Sequence, residues 1–579
     1  MRKLEVWAPR AKQVAAEVNG ARIPMQGPDE NGWWRAQNDQ IVPGANYGFL
    51  VDEDDKAYPD PRSQWQPDGV HGLSRIYDQS AFAWSDREFR AVPLASAIVY
   101  EMHLGTFTPA GTLDAAIEKL DYLKELGVTH VELLPVAAFA GGHGWGYDGV
   151  ALFAVHEPYG GPDALKRFVN ASHAKGLAVL LDVVYNHFGP AGNYTGKYAP
   201  YITESHHTPW GGAVNLEDAG SYEVRRFFCD NALMWMRDFH MDGLRLDAVH
   251  AYVDRSAFHF LEQLATETKA LEAATGRPLV LIAESDLNDP RIVTPREAGG
   301  YGIDAQWSDD FHHALFAAVS KEPPGGYYAD FGSMEQLARA LQQSFVYAGE
   351  YSRFRRRAHG RPATHLYQWR FLGYIQNHDQ IGNRAQGERL DVSAGFDRAK
   401  VAAGLVLTSP FLPMLFQGEE WAASTPFQYF ADHDDPELRR SVSEGRKREF
   451  EAFGWDPSLI PDPESKETFE RSKLDWDELG EGRHAEMLAW YREVIAFRRR
   501  VSDLNDSEPG HTRTCFDEQA RWLIVQRGSV QVVCNLGSAS QALPVPSGAS
   551  IALASRSGIR LQDGKIDLPP DTLAVLERA

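Results

Sequence analysis

The sequence predicts an α/β protein built around a (β/α)8 TIM barrel, with a β-sandwich domain before it and a second one after it. Three observations support this. Eight apolar strand segments alternate with helical segments in the middle of the chain, short strands with frequent turns precede them, and short strands follow them. The alternation alone leaves a doubly wound parallel sheet open. The expected domains are residues 1–88, 89–504 and 505–579.

The first 88 residues contain short strands separated by turns. Residues 4–8 and 47–51 alternate between larger apolar and polar or small side chains, which is typical of strands with one buried face. Asn-Gly and Pro-Gly pairs between these strands mark turns. Strands at this spacing predict a β-sandwich.

Strands and helices alternate from residue 97 onward. The strand candidates are residues 98–101, 131–135, 177–181, 243–249, 279–283, 305–307, 371–375 and 411–416. Helices are expected at residues 112–126, 163–174, 254–272 and 396–407. Nearly continuous apolar runs such as 177–181 are typical of parallel strands buried on both faces. Further strands are expected at residues 521–525, 530–533 and 573–576.

The overall charge argues against one class of partner. The 579 residues include 58 Lys and Arg against 80 Asp and Glu, a net charge of −22. Affinity for nucleic acid comes from basic surfaces that meet phosphates, so we expect no nucleic-acid partner. The 15 Trp, 22 Tyr and 29 Phe suit stacking on sugar rings, but cores and interfaces use the same residues. The locally basic run 353–361 is expected to be a solvated loop.

Cysteine content and hydropathy bear on location. Three cysteines cannot form a disulfide framework, which favours a reducing cytoplasm. The first residues lack the apolar region of a signal peptide. The apolar run 402–416 is interrupted by Pro410 and Pro413, so no membrane span is expected. The sequence therefore predicts a cytoplasmic protein.

Acidic residues stand at the carboxyl ends of four predicted barrel strands. They are Asp182, Asp247, Glu284 and Asp379. A carboxylate beside an apolar strand is costly unless it faces a polar cleft. Because the carboxyl ends of barrel strands open onto one face, we expect all four acids at one mouth. His187, His250 and His378 flank these acids and would donate hydrogen bonds to hydroxyl groups.

Four acids at one mouth suit glycoside hydrolysis. That reaction needs a protonated carboxyl to protonate the leaving oxygen and an ionised carboxylate at the anomeric carbon. Arg245 lies two residues before Asp247 on the same face of a strand, where it would keep Asp247 ionised as the nucleophile. Glu284 would be the acid, with its pKa raised by that charge and by a dry pocket. Asp379 would accept hydrogen bonds from ring hydroxyls.

Each of these residues alone has an ordinary structural explanation. A single Asp after a strand is most often a helix N-cap, and a lone Arg-x-Asp is usually a surface ion pair. A lone His beside a strand is more often a core residue. Four acids on four strands favour a catalytic cluster over these explanations taken together. A catalytic metal is not expected, because the histidines lack a ligand spacing such as His-Glu-x-x-His.

Four segments surround these acids: DVVYNH at 182–187, GLRLDAVH at 243–250, IAES at 282–285 and QNHDQ at 376–380. Together they resemble the four signature regions of the α-amylase superfamily, glycoside hydrolase family 13. The resemblance implies retention of anomeric configuration. It also implies that Asp247 is the nucleophile, Glu284 the acid/base and Asp379 the transition-state stabiliser. The residues it places around the sugar are Asp182, His187, Arg245 and His378, with Tyr147 stacked under the ring.

The resemblance narrows to one branch of that superfamily. Residues 186–218, 307–313 and 418–427 look like maltooligosyltrehalose trehalohydrolases, and VWAP at 6–9 resembles the N-terminal sandwich of branching enzymes and isoamylases. That branch cleaves the α-1,4 bond between a maltooligosyl chain and a terminal trehalose. The residues expected to recognise the trehalose end are Trp307, Asp309, Phe311, Tyr327, Tyr328 and Glu350. A structural loop with packed aromatic residues is the alternative for each.

No cofactor and no metal are expected. Many amylases hold calcium at an asparagine equivalent to Asn186, with further ligands from a long insertion after the third strand. The insertion here, at about residues 186–220, is short, and its acids Glu204, Glu217 and Asp218 are not clustered. The resemblance implies maltooligosyltrehalose or another α-glucan as substrate. It also implies maltooligosyltrehalose synthase as a functional partner in trehalose biosynthesis.

Two other functions compete with this one. A glycogen branching or debranching enzyme would share the domain layout, but the segment 186–218 argues against it. A non-catalytic α-glucan-binding protein belongs to a different class. The intact set Arg245, Asp247, Glu284 and Asp379 argues against this class, because binding alone needs no acid paired with a nucleophile.

Overall fold

The computed structural model describes residues 3–322, 325–452 and 455–578, and at its centre is a closed barrel. Its strands are all parallel, pair in chain order, and close where the eighth pairs with the first. They are β1 (Val99–Met102), β2 (His130–Leu133), β3 (Ala178–Val183), β4 (Gly243–Leu246), β5 (Val280–Ala283), β6 (Ala305–Trp307), β7 (Phe371–Gly373) and β8 (Leu412–Phe416). The barrel prediction is confirmed, and sequential closure excludes a doubly wound sheet.

Helices of the described residues surround the barrel. Gly176 and Gly276 end two of them in the left-handed conformation that glycine adopts without strain. The α-helices are Leu104–Phe107, Leu113–Ile117, Leu120–Leu126, Gly161–Lys175, Thr195–Tyr198, Ser221–Asp238, Phe260–Thr275, Asp309–Val319, Met334–Gln343, His378–Gly382, Leu390–Ser393, Phe396–Thr408, Pro436–Ala452, Lys466–Arg471 and Gly482–Arg500.

Two helices differ from the prediction. The first is interrupted and becomes Leu113–Ile117 and Leu120–Leu126, because the backbone between them forms hydrogen bonds three residues apart. The helix expected from residue 254 begins only at Phe260. The Asp254 carboxylate accepts a hydrogen bond from the Phe260 amide at 2.6 Å, which holds the residues between them as a loop.

Antiparallel sheets lie at both ends of the described chain, as the sequence predicts. The N-terminal strands are Lys3–Trp7, Val14–Val18, Ala21–Pro24, Trp33–Gln37, Asn46–Val51 and Ser74–Arg75. The C-terminal strands are Thr512–Asp517, Trp522–Arg527, Val530–Asn535, Gln541–Pro544, Ala549–Ala554, Arg560–Gln562, Lys565–Leu568 and Thr572–Arg578. Each group forms two sheets. We propose domain boundaries near residues 88 and 504, between these sheets and the barrel.

Three short hairpins follow barrel strands and extend the face onto which their carboxyl ends open. They pair Ala137–Ala138 with Ala151–Val155 after β2, Ile202–Thr208 with Gly211–Val214 after β3, and Tyr351–Ser352 with Arg357–Ala358 after β6. The hairpin after β3 lies in the predicted insertion. Within the part of the chain that the structure describes, no helix is long and apolar enough to span a membrane.

Candidate active site

A cleft of about 680 Å³ opens at the carboxyl ends of the barrel strands. Its walls come from loops after most of these strands and from the helix Pro436–Ala452. The lining residues are Trp145, Tyr147, Asp148, His187, Trp210, Asp247, Ala248, His250, Glu284, Asp286, Asp309, His378, Asp379, Asn383, Tyr429, Phe430, Val442, Gly445 and Arg446. The cleft therefore brings together the three predicted catalytic acids.

Arg245 on β4 is the centre of the charged cluster. Its side chain is 1% exposed, and its Nη1 lies 2.8 Å from Oδ1 of Asp247 while its Nη2 lies 2.8 Å from Oε2 of Glu284. Nη1 also donates to Oδ2 of Asp182 at 2.5 Å. The guanidinium lies over the ring of Trp307, 4.2 Å from the centroid. One buried cation thus holds the carboxylates of three strands together, as a planar donor fork permits.

The backbone leaves β4 in a sharp turn that presents Asp247 to the cleft. Ala248 adopts a left-handed conformation (φ 42°), and its amide donates to Oε2 of Glu284 at 2.8 Å. Asn186, after β3, donates from Nδ2 to the other oxygen of Asp247 at 2.6 Å. Both oxygens of Asp247 therefore accept hydrogen bonds, which fixes the orientation of this carboxylate.

Glu284 lies in an environment that favours its protonated form. Burial raises its pKa well above the usual value of 4.5, and the neighbouring charges of Asp247 and Asp379 act in the same direction. These effects outweigh the attraction of Arg245. The cleft therefore contains one carboxylate held by two hydrogen-bond donors and one carboxyl group that retains its proton, which is the pairing that acid–base catalysis on a glycoside requires.

Tyr147 and His378 form a stacked pair beside these acids, with ring centroids 5.1 Å apart. The Tyr147 hydroxyl donates to Asp182 at 2.6 Å, and burial raises the pKa of Asp182 to about 6. The backbone amide and ring Nδ1 of His378 both bind the carboxylate of Glu101 on β1. Although burial opposes protonation, the charge of Glu101 raises the pKa of His378. The second ring nitrogen of His378 remains available to donate a hydrogen bond to a ligand in the cleft.

Asp379 and Asp309 line the cleft from the first turns of the helices that follow β7 and β6. Asn383 donates to Oδ1 of Asp379 at 2.6 Å. The hydroxyl of Tyr374 donates to Asp309. Burial raises the pKa of Asp309 to about 7, and the charges of Asp286 and Asp379 add to that shift. Asp309 is the member of the expected trehalose-recognition set that lines the cleft.

The structure places the other residues predicted to recognise trehalose away from the cleft lining. Trp307 is 1% exposed and lies beneath Arg245. Phe311 is fully buried and stacks on Phe411 at 4.5 Å, because it lies on the inner face of the helix Asp309–Val319. In this conformation neither ring can contact a sugar, which corrects the expectation that they line the site.

Tyr327, Tyr328 and Glu350 are also outside the cleft lining. The two tyrosine hydroxyls lie 3.4 and 3.0 Å from Oε1 of Gln380, so they buttress the helix that carries Asp379. Glu350 pairs with Arg339 and accepts a hydrogen bond from the amide of Ala348, as part of a surface loop. The packed-loop alternative describes these three residues better than sugar contact does.

Three residues in the cleft wall or in contact with it were not identified from the sequence. Glu101 lies in a buried strand whose other residues are apolar, and an acidic residue in such a strand could have indicated a functional role. Trp210 is half exposed at the tip of the hairpin after β3 and stacks on His187 at 5.5 Å. Arg355 binds Asp286 at 3.1 Å, so the basic run 353–361 is not simply solvated.

Three of the residues considered for calcium have protein partners. Asn186 binds Asp247 and His187, Glu217 binds Arg255, and Asp218 binds Thr203. Among the described residues, a spacing that suits a metal ion occurs at the exposed group Asp506, Glu508 and His511. That group lies in the segment before the C-terminal sheets. The absence of an essential metal stays a prediction.

Comparison with known proteins adds two kinds of finding. A family model of the alpha-amylase catalytic domain matches residues 58–207, and a domain family of unknown function, DUF3459, matches residues 509–575. A malto-oligosyltrehalose trehalohydrolase of Rhizobium sp. (strain M-11) is 49% identical over 99% of this chain and 97% of its own length. That of Mycobacterium tuberculosis (strain H37Rv) is 48% identical over 100% of both chains.

Solved structures agree with this similarity. A 1.4 Å crystal structure from Salmonella typhimurium, assigned provisionally to the alpha amylases, is similar with a TM-score of 0.91 and 37% identity. The alignment covers 100% of this chain and 97% of the chain in that crystal structure. The match therefore includes the sheets at both ends as well as the barrel.

Proposed function

The chain belongs to the family of malto-oligosyltrehalose trehalohydrolases in the α-amylase superfamily, and from this premise we propose how its cleft works. The reaction is hydrolysis of the α-1,4-glucosidic bond between a maltooligosyl chain and a terminal trehalose unit, which releases trehalose. The observation that carries the proposed mechanism is that Arg245 binds Asp247 and Glu284 in one cleft. A retaining mechanism needs two carboxyl groups about 5 Å apart across the scissile bond.

In the first step, Asp247 attacks the anomeric carbon of the glucosyl residue next to trehalose. Arg245 and Asn186 hold its two oxygens, so the attacking carboxylate is already oriented. Glu284 gives its proton to the glycosidic oxygen, and the bond to trehalose breaks. The products are free trehalose and a covalent glycosyl ester on Asp247.

In the second step, water attacks the same carbon from the side that trehalose has left. Glu284, now ionised, accepts a proton from this water, and the ester bond to Asp247 breaks. Two inversions give overall retention. The donor carboxylate is restored to its protonated form, so the enzyme returns to its starting state.

The remaining residues bind the glucosyl ring that changes shape during the reaction. We assign the stacking platform to Tyr147, and hydrogen bonds to ring hydroxyls to His187, His378 and Asp379. Asp182 acts through Arg245 and Tyr147, which it binds directly. His250 lines the cleft at its exposed edge. Asp309 is the candidate for contact with trehalose.

The cellular setting is also part of the proposal. The three cysteines, Cys229, Cys515 and Cys534, are all free thiols, which supports a reducing cytoplasm. The substrate carries a non-reducing trehalose end, so an enzyme that converts the reducing end of a maltooligosaccharide must act before this one. We propose a maltooligosyltrehalose synthase as that functional partner.

Product analysis tests this function. The protein is incubated with maltotriosyltrehalose and, in parallel, with maltopentaose, and the products are separated by chromatography. We expect trehalose and maltotriose from the first and much slower cleavage of the second. Comparable cleavage of both substrates identifies a general amylase and contradicts the proposal, and formation of α-1,6 links identifies a branching enzyme.

A further inference from the structure

A carboxylate in the cleft wall has no part in the mechanism above. Asp148 follows Tyr147 directly, lines the cleft near His187 and Trp210, and has a side chain that is 39% exposed. It makes no described contact with Arg245. A carboxylate accepts hydrogen bonds through two oxygens, and sugar hydroxyls are donors that match it. The position of Asp148 beside the ring-stacking tyrosine places this acceptor next to the bound glucan.

A buried histidine stands behind this carboxylate. The side chain of His433 is 6% exposed, and its Nε2 lies 3.5 Å from Oδ2 of Asp148. Its backbone amide donates to Oε2 of Glu464 at 3.1 Å, and its ring Nδ1 lies 2.7 Å from Oε1 of Glu464. Because Glu464 is buried and accepts from Nδ1, the ring orientation is fixed and Nε2 faces Asp148.

Carboxylates on both sides keep this imidazole charged. The ion pairs with Asp148 and Glu464 raise the pKa of His433 to about 9. The charged or titratable groups around it are Asp148 after β2, Asp432 next to it in the chain, Glu464, Arg439 on the helix Pro436–Ala452 and, through Asp432, His143. At neutral pH the chain Glu464–His433–Asp148 therefore runs from the interior to the cleft surface with alternating charge.

We propose that Asp148 is a further substrate-binding residue, which accepts hydrogen bonds from hydroxyls of a glucosyl unit of the maltooligosyl chain, and that His433 is the positioning residue that holds it. Oδ2 of Asp148 faces the imidazolium, and no described side chain donates to Oδ1, which is left for the sugar. The occupant is a neutral polyhydroxylated ring, since a second anion would meet Asp148, Asp286 and the catalytic acids. This inference rests on the function proposed above and adds a binding contact to the same site.

A purely structural role is the alternative, because the same chain ties two loops together. His143 offers a matched control for that role. It pairs with Asp432 at 3.6 Å and joins the same two loops, but it does not line the cleft. If loop tethering were the whole effect, replacing His143 or His433 would have similar consequences.

The test compares Asp148→Asn, His433→Gln and His143→Gln on maltotriosyltrehalose. Losing a hydrogen bond to a charged group weakens binding by about tenfold or more. We expect KM to rise about tenfold in Asp148→Asn, about three- to tenfold in His433→Gln and less than twofold in His143→Gln, with kcat within about threefold. The double variant of residues 148 and 433 should be no worse than Asp148→Asn, because both changes remove one contact.

The pH dependence separates positioning from simple packing. In the unaltered protein KM should rise as the pH passes about 9, where His433 loses its proton. His433→Gln should lack that rise. A KM–pH profile that is the same in both proteins overturns the positioning role. Thermal unfolding identifies a variant that fails to fold, and in that case Asp148→Asn alone decides the binding role.

A binding measurement keeps this proposal distinct from the function itself. The dissociation constant of maltotetraose is measured by calorimetry in a Glu284→Gln background, with and without Asp148→Asn. A tenfold weaker Kd supports the contact, and an unchanged Kd and KM overturn it. If the unaltered protein releases no trehalose, the proposed function fails, whereas the Kd comparison still tests Asp148.

Discussion

Glu101→Gln should reduce catalysis although residue 101 does not line the cleft. Glu101 on β1 binds the amide and the ring of His378, and its charge raises the pKa of that histidine against the effect of burial. Glutamine preserves the shape and an acceptor oxygen but removes the charge. Burial then dominates, and the pKa of His378 falls below its usual 6.5. At pH 7 the histidine becomes a neutral, weaker donor to the sugar.

The size of the effect follows from the charge that is lost. An opposite charge in contact shifts a pKa by about 1–3 units, and each unit corresponds to about 1.4 kcal/mol. If the transition state uses the full charge of His378, kcat/KM at pH 7 should fall about 10- to 1000-fold. The sign also fixes the pH dependence. Because protonated His378 is present only below its pKa, the variant should recover activity as the pH falls below 6.5, whereas the unaltered enzyme retains it at higher pH.

The assay is trehalose release from maltotriosyltrehalose, measured as kcat/KM between pH 5 and 9. Glu132→Gln is the matched control. Glu132 on β2 pairs in register with Glu101 and is equally buried, but burial and the charge of Glu101 raise its pKa well above the usual value. Glutamine replaces an already neutral side chain there, so kcat/KM should change less than about twofold. Equal losses in the two variants, or an unshifted pH profile in Glu101→Gln, would refute the electrostatic reasoning.

Three further outcomes are expected. Asp247→Asn should lower kcat by about 10⁴-fold or more, as seen by trehalose release, without a loss of thermal stability; residual turnover near the original rate would exclude Asp247 as nucleophile. Asp86→Asn should destabilise the fold by about 3–5 kcal/mol in urea unfolding, because Asp86 binds the buried His173 at 2.7 Å and also His240 at 2.8 Å. Burial alone would raise the pKa of Asp86, but the two histidine contacts lower it. The contribution of Asp86 to the free energy of unfolding is therefore present at neutral pH and is lost in acid. The variant should accordingly lose less stability than the unaltered protein when the pH is lowered. Exhaustive dialysis against EDTA should leave activity intact, and a loss restored only by Ca²⁺ would contradict the absence of an essential metal.

The barrel was predictable because its strands have an unmistakable pattern. Segments such as Ala178–Val183 are buried along their whole length, and the sequence shows this as the apolar run 177–181 that precedes Asp182. The residues at which helices begin and end were harder to predict. The start of Phe260–Thr275 depends on the buried side chain of Asp254, which binds the first amide of the helix, and periodicity contains no information about that contact.

The same distinction applies to the site. The sequence placed Asp247 and Glu284 at the cleft because each directly follows a barrel strand, and a strand end fixes where a side chain emerges, whereas Asp379 reaches the cleft from the short helix after β7. Trp307 is the last residue of β6 and Phe311 lies in the helix that follows, so the contacts of both rings depend on packing inside the barrel and against that helix. Phe311 packs inward against Phe411, and Trp307 lies beneath Arg245. A position close to the site in the sequence therefore did not determine whether either ring reached the cleft.

The protonation of Glu284 follows from its burial and from the negative charges around it. Arg245 binds Asp182, Asp247 and Glu284, and the charge of His378 is matched by Glu101. Burial has the largest effect on Glu284, the charges of Asp247 and Asp379 add to it, and the attraction of Arg245 does not offset them, so Glu284 retains its proton.

Formation of the covalent ester would change the charges that act on Glu284. In the proposed mechanism Asp247 loses its charge when it forms the ester, and its repulsion no longer raises the pKa of Glu284. The attraction of Arg245 then acts on Glu284 with less opposition, so the pKa falls and the ionised form that accepts a proton from water is favoured. In the proposed mechanism Glu284 therefore acts first as acid and then as base, because the charge of Asp247 contributes to its pKa only until the ester forms.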